Sequence, residues 1–455
     1  MLSRTGYLIP KSDWTDNDKK GLTVRPIVNG DYGVRPPPFR VYRTSKANVC
    51  VPRYYKPSPP PIDKRPEPKG INVAFTGKLR DSTSQNEAHD AIVKVMRTTG
   101  GGLLSLPCGY GKTTVALAVA STMKVRTMIV VHKEFLANQW RERIQQFCPG
   151  ATIGIIQQNK FDINCDFVVA MLQTISMKDF TLDQFESIGM VIVDEAHHIC
   201  ARVFSQAFFK FCPKYSLGLS ATPVRKDGLT DVLHWFLGPP AFAVERENRG
   251  RTIVRTLRYK CSEYRLPPPV TRFGKVSLVQ MITDLVENAG RNEFLEIQVR
   301  KIMKNSGRRL LVLSDRRQHC EEMACRLEDL GTGLYMGGMK EAKLKESAEQ
   351  NIIVGTFSQA HEGLDIPVLD TVLLATPKSD VKQAVGRILR ETEGKKNDPI
   401  ILDVADDWGL MGSMYYKRRK MYKESGFEIE KETGEPIQEK ETYLKGYAFL
   451  DIDSD

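Results

Sequence analysis

The sequence predicts two consecutive α/β units, each a parallel sheet covered on both faces by helices, and three observations predict them. Short runs that are apolar at every position alternate with amphipathic segments, as strands buried on both faces must. The pattern runs from residue 79, weakens across 239–275 and then restarts. A glycine-punctuated turn, Gly109-Tyr110-Gly111-Lys112-Thr113, sits between a strand candidate and a helix candidate.

At 455 residues and 41% hydrophobic, the chain is long enough for about three domains. No apolar run approaches the roughly 18 residues of a membrane span, and MLSRTGYLIPKSDW holds no signal-peptide core. A soluble, intracellular chain without membrane attachment is expected. Nine cysteines, an odd number without a Cys-x-x-Cys pair, argue against a disulfide framework or a zinc ribbon.

Charge is unevenly placed. Residues 1–80 hold 16 Lys/Arg against 6 Asp/Glu, so +10 of the total +11, together with 12 of the 25 prolines. A basic end is an electrostatic footprint for a polyanion, most often nucleic acid. Residues 1–78 are expected to form a small basic, irregular or β-rich module with extended stretches at 39–43 and 49–55 and a linker at about 56–70. Phe39, Tyr42, Tyr54 and Tyr55, beside arginines, would either stack on bases or pack on the rest of the chain. Residues 406–455, with 8 Lys/Arg and 12 Asp/Glu, read as a short acidic C-terminal extension.

The first unit, 79–238, opens at Ser84-Gln85-Asn86-Glu87, whose capping-box spacing predicts a helix start. Strands are expected at 103–106, 127–131, 167–171, 190–193 and 216–219. Gly109 and Gly111 let the backbone curl so that successive N–H groups converge on a phosphate, with the dipole of the following helix behind them. Lys112 adds a point charge for the β/γ-phosphates, and the Thr113 hydroxyl can ligate Mg²⁺. Leu106 stands where a glycine or alanine is usual.

Asp194 and Glu195 follow a buried strand, which puts both carboxylates at the carboxyl edge of the sheet beside the phosphate loop. Asp194 would hold Mg²⁺ and Glu195 would polarise the attacking water. His197, His198 and Cys200 do not read as a metal site, because adjacent histidines point apart and no second ligand cluster accompanies them. His197 reads instead as a polar relay to Ser220-Ala221-Thr222, hydroxyl residues ending the next strand.

Pro-rich brackets at 238–240 and 267–269 mark 239–275 as a connector. In the second unit, 276–405, strands are expected at 310–313, 352–354, 371–374 and 400–404. The spacing of residues 381–390 is helical, with Gln383, Arg387 and Arg390 on one face, suited to reaching phosphate oxygens held by another domain.

In this order, GYGKTT, DEAH, SAT and QAVGRILR resemble the superfamily 2 helicases and translocases, whose two RecA-like P-loop NTPase lobes would cover about 79–405. Five further stretches fall in family order: IVVHKEFLANQW (129–140), VVAMLQTIS (168–176), LLVLSDRRQHC (310–320), YMGGMK (335–340) and VGTFSQAHEGLDIP (354–367). SATPVRKDG is similar to the branch that contains the TFIIH helicase XPB, phage UvsW and DNA helicases of large DNA viruses. With PPPFRVYR and VPRYY ahead of this motor, the chain resembles the poxvirus-type transcript-release helicases.

The resemblance implies an ATP- and Mg²⁺-dependent enzyme acting on nucleic acid, DNA before RNA, moving 3′ to 5′. It would work as a monomer, alongside transcription or repair machinery, in host cytoplasm, nucleus or virion. It implies Lys112, Thr113, Thr114, Asp194 and Glu195 at ATP and Mg²⁺, Gly363 and Asp365 lining the interlobe cleft, and Gln383, Arg387 and Arg390 closing from lobe two. Gln85 would read the adenine edge, although its distance from Leu79-Arg80 is two residues longer than usual. His197, Ser220 and Thr222 would couple the sites, while Lys133, Gln173, Thr174, Arg316, Arg317 and Thr356 would contact nucleic-acid backbone.

Overall fold

The computed structural model describes residues 1–27, 36–55, 62–107, 109–221, 225, 227–244, 251–260, 264, 266–272, 274–304, 306–362, 364, 366–390, 395 and 397–430. It divides into two compact units, Met1–Arg246 and Glu247–Asp455. Each is built on one large sheet, so the chain is α/β with tandem RecA-like lobes.

The first sheet runs, edge to edge, Lys160–Phe161, Ile153–Gln157, Phe167–Met171, Thr127–Val131, Met190–Val193, Tyr215–Ser220, Gly101–Ser105 and Pro240–Ala243. Only the two-residue edge strand is antiparallel. Thr127–Val131, Phe167–Met171 and Met190–Val193 have the bounds that their apolar runs predict. These strands are buried on both faces: Met128, Val130, Val168 and Val191 point into one core, and Ile129, Val131, Val169 and Ile192 into the other.

The amino-terminal module completes the first of those cores. Its antiparallel strands Leu2–Ser3, Gly6–Pro10, Asn48–Val51 and Arg43–Thr44 form a small sheet, and Thr23–Val24 pairs with Phe39–Arg40. Leu22, Phe39, Val41, Val49 and Val51 are at most 5% exposed, in one cluster with Met128, Val191 and Phe236. Burying each such side chain is worth about 1.5–3 kcal/mol. The aromatics thus pack inward. Tyr42 lies against Trp14 at 5.2 Å, Tyr55 meets Trp235 edge-on at 5.5 Å, and the Tyr54 hydroxyl is 3.2 Å from Ser216 Oγ.

Two of the module's arginines are spent in the same way. Arg53 donates to the carbonyls of Thr99 and Lys214, and Arg65 to that of Pro213, satisfying acceptors at the amino edge of the sheet. The expected linker is fastened where it is described: residues 62–64 pair with Leu2, and Gly70 bridges to Val125.

The helix after this segment, Gln85–Thr98, starts where expected but without the expected cap. Ser84 is left-handed, φ 52°, and its side chain makes no capping bond.

The second sheet is parallel throughout, in the order Thr332–Tyr335, Ile352–Thr356, Leu310–Ser314, Thr371–Leu374, Ile400–Asp406, Ile253–Tyr259, Glu428–Glu430. Two expectations change. The stretch 239–275 holds the edge strand Pro240–Ala243 of the first sheet and an inner strand, Ile253–Tyr259, of the second. Its proline brackets masked strands whose partners are distant in sequence. The residues after 405 are also integral. Arg418, on the helix Met411–Glu424, pairs with Asp403 at 2.7 Å, and Tyr422 donates to the same carboxylate at 2.9 Å, all three side chains being buried.

Among the described residues no helix is long and apolar enough to cross a membrane.

Candidate active site and nucleic-acid side

Parallel strands deliver all their carboxyl ends to one edge, and sheet order sets the sequence of chemistry along it. Beyond Phe167–Met171 come Gln173 and Thr174, beyond Thr127–Val131 comes Lys133, and beyond Met190–Val193 come Asp194 and Glu195. Ser220 ends its own strand, and the phosphate loop follows Gly101–Ser105. The carboxylate pair stands between the candidate nucleotide residues and the candidate nucleic-acid residues.

In the phosphate loop Gly109 and Gly111 have φ of 88° and 79°, conformations open to glycine. A Cβ on Gly111 would collide with the Gln85 amide. Gln85 is buried, and both ends of its amide are engaged: Nε2 donates to Tyr110 O at 2.8 Å and Oε1 accepts from Arg80 N at 3.0 Å. It braces the loop against the residue-80 turn, and its longer spacing from Leu79-Arg80 is absorbed by a short helical turn at Asp81–Thr83. Lys112 opens the helix Lys112–Met123 and donates to Leu106 O at 3.1 Å, with Thr113 and Thr114 half-buried behind it.

Asp194 accepts from Trp140 Nε1 at 2.8 Å and from Glu195 N at 2.9 Å. Burial, then the neighbouring Glu195 charge, pushes its carboxyl above the usual range, while the Trp140 bond and Lys112 pull the other way. Glu195 has φ 45°, uncommon for a residue with a side chain, and its buried Oε2 has no hydrogen-bond partner among the described residues. It lies 3.5 Å from His197 Nδ1. A carboxyl raised by burial and by its neighbour, beside a carboxylate oxygen without a hydrogen-bond partner among the described residues, is a hard-oxygen setting short of positive charge. That fits Mg²⁺, which takes one or two protein oxygens and keeps waters.

Three residues around the site were not singled out in the sequence, although His132 and Trp140 lie within IVVHKEFLANQW and Arg225 within SATPVRKDG. Trp140 sits on the helix Glu134–Phe147 in a buried stripe with Leu136 and Ile144, which reads as core. His132 follows the strand Thr127–Val131, and its carbonyl accepts Gln173 Nε2 at 2.5 Å. Gln173 is therefore turned inward, while Thr174 Oγ1 accepts from Gln158 N at 3.1 Å. Arg225 pairs with Asp227 and donates to the carbonyl of His197, and Ile27 N donates to Asp227 O at 2.9 Å. The segment after SAT thus links the amino-terminal module to the acid turn. Its arginine is occupied within the protein.

Ser220 is buried at its strand end, and Thr222 lies outside the described residues. In the second unit Arg316 and Arg317 follow the strand Leu310–Ser314 and Thr356 ends its partner Ile352–Thr356, hence one edge. Arg316 donates to Val279 O at 2.9 Å and exposed Arg317 to Gly337 O at 2.7 Å. Gln383 and Arg387 lie on the helix Lys382–Ile388, which ends before Arg390, so the expected three-residue stripe is shorter than its spacing predicts. Arg387 donates to the carbonyls of Ala360 and Leu364, at 2.7 and 2.8 Å. Gly363 and Asp365 lie outside the described residues.

A phosphate loop and a strand-end acid pair on a RecA-like sheet define an ATP-hydrolysing P-loop enzyme. Residues 78–225 match the family model described as type III restriction enzyme, res subunit. The Acanthamoeba polyphaga mimivirus protein L396, provisionally named an ATP-dependent RNA helicase, is 35% identical over 89% of this chain and 81% of its own. The helicase 161L of Invertebrate iridescent virus 6, also a provisional name, is 29% identical over 78% and 83%. The solved structure of T4 UvsW covers 79% of this chain and 78% of its own at 18% identity and a TM-score of 0.33, too low to add to the assignment.

The chain belongs to the superfamily 2 helicases, in the group carried by large DNA viruses. It is an ATP-hydrolysing enzyme that binds nucleic acid.

Proposed function

We propose that the chain is a DNA helicase or double-strand translocase that moves 3′ to 5′ and serves viral transcript release, or DNA repair and recombination. The observation that carries the hydrolytic half of this reading is the Asp194–Glu195 turn, with its orphaned Glu195 oxygen, on the same sheet edge as Lys112.

In this reading the loop amides between Gly109 and Lys112 take the phosphates, and the Lys112 ammonium exchanges the Leu106 carbonyl for the β/γ oxygens. Thr113 and Asp194 would hold Mg²⁺, which when bound offsets charge on those oxygens. Glu195 accepts a proton from the attacking water as the γ-phosphoryl parts from ADP. Lys133, Thr174, Arg316, Arg317 and Thr356 grip backbone phosphate, which positions a strand without reading its sequence.

A second reading, an RNA helicase, is favoured by the names of the mimivirus relative and of an African swine fever virus relative, QP509L, 24% identical over 76% of this chain. A third is an ATP-gated remodeller that displaces polymerase or annealed strands without processive unwinding. ATPase stimulation by double-stranded DNA, single-stranded DNA and RNA, measured side by side with strand displacement from 3′- and 5′-tailed duplexes, separates the three. Stimulation by RNA alone would overturn the DNA reading.

A further inference from the structure

Three imidazoles lie in file beside the acid turn. The rings of His132 and His198 have centroids 3.8 Å apart and planes 32° from parallel, and His198 and His197 follow at 4.3 Å and 36°, so these adjacent histidines do not point apart as the sequence led us to expect. At one end His197 Nδ1 faces Glu195 Oε2 at 3.5 Å. At the other, the His132 carbonyl accepts the Gln173 amide, on the helix Leu172–Met177 that also carries Thr174. The parallel register that pairs Val193 with Val130 brings the two strand ends level, which places the acid turn and His132 side by side.

We propose that this ring file couples the nucleotide site to the nucleic-acid side, with His132 and His198 as positioning residues. The physical basis is packing. Flat rings at contact distance cannot shift independently without clashing or giving up contact with their neighbours. A change in what Glu195 bonds to moves His197, and through His198 it moves His132 and the Gln173 amide held by its carbonyl. This route runs along the sheet edge toward Lys133 and Thr174, away from the Ser220 segment. The inference rests on the reading of Glu195 as the base and of residues 133 and 172–177 as the nucleic-acid side.

Coupling between sites is a ratio of affinities and is reciprocal. The test measures the dissociation constant of a labelled oligonucleotide without nucleotide and with a non-hydrolysable ATP analogue, together with basal ATPase, in the wild type, His132→Ala, His132→Phe and His198→Ala. Typical couplings amount to about 5- to 150-fold. His132→Ala should bring the ratio close to one while basal turnover stays unchanged. His132→Phe, which keeps a ring between its neighbours, should retain most of the ratio. His198→Ala, at the half-exposed middle ring, should repeat the loss, and it serves if His132→Ala does not fold.

A ratio preserved in both alanine variants would overturn the proposal, as would a wild-type ratio of one or a basal rate that falls along with the coupling. Glu195→Gln measured in parallel separates the failures. Normal hydrolysis by that variant removes the base assignment beneath the ring file, whereas blocked hydrolysis with an intact ratio in the alanine variants removes only the ring file.

Discussion

Trp140 Nε1 donates a 2.8 Å hydrogen bond to Asp194 Oδ2, from a ring that is 1% exposed, onto a carboxylate that burial and Glu195 push toward protonation. A hydrogen bond to a charged acceptor is worth about 1.5–3 kcal/mol. Trp140→Phe keeps the apolar packing and removes the donor. Turnover should fall roughly 10- to 100-fold at fixed Mg²⁺ and recover in part as Mg²⁺ is raised, with thermal stability little changed. An unchanged Mg²⁺ dependence would sink the assignment of Trp140 as the residue that orients Asp194.

Lys112→Ala and Glu195→Gln should both abolish turnover, for different reasons. The first removes the charge that holds the β/γ-phosphates. The second keeps ATP and loses the proton acceptor, so it alone should trap an ATP-bound, nucleic-acid-bound state. Equal loss of ATP binding in equilibrium titrations would rule out Glu195 as the base.

Arg387→Ala should leave ATP affinity nearly intact and lower stimulated hydrolysis by about 10³ to 10⁵, as expected for a charge used at the transition state. Because this guanidinium also ties down the carbonyls of Ala360 and Leu364, a melting curve belongs beside the rate. More than a tenth of the stimulated activity in a stable variant would count against the role.

The amino-terminal module is too deeply built into the first core for removal of residues 1–78 to leave a working motor, so its charge is best tested on the surface. Lys19, Lys20, Arg40 and Lys46 are exposed. Replacing them with glutamine should flatten the salt dependence of duplex affinity by about 0.9 in log–log slope for each DNA phosphate that is no longer neutralised. Equal slopes would make the module a structural cover. Arg225→Ala should lower basal hydrolysis, since that side chain holds the carbonyl of His197.

His319 Nε2 lies 3.0 Å from Asn292 Oδ1 and Nδ1 2.9 Å from Ser314 Oγ. Burial first, then the Arg291 and Arg326 charges, push it from 6.5 down to about 3. Between those values the unfolded chain binds a proton that the folded chain refuses, so this contribution is fully present above pH 6.5 and is lost as pH falls toward 3. The loss is roughly 1.4 kcal/mol per pH unit. Denaturant melts of wild type and His319→Gln between about pH 7.5 and 4.5 should converge as pH falls, and parallel curves would refute the shift.

The strands at 127–131, 167–171 and 190–193 were legible because a strand buried on both faces must be apolar at every position, which is a local property of the chain. The phosphate loop and acid pair were legible for a similar reason: glycines with positive φ, a lysine and paired carboxylates are chemistry written in adjacent residues. What came only from tertiary structure were relations between residues far apart in sequence. The strand Ile253–Tyr259 hides inside a proline-bracketed stretch because its neighbours, Ile400–Asp406 and Glu428–Glu430, lie well over a hundred residues away. Phe39, Tyr42, Tyr54 and Tyr55 looked equally able to stack on bases or to pack, and which they do depends on the sheet face that receives them. Trp140 on Asp194, Gln173 on His132 and Arg225 on His197 were invisible for the same physical reason: a side chain's partner is set by which strand ends share an edge, and the order of strands in a parallel sheet is fixed by the packing of the whole unit.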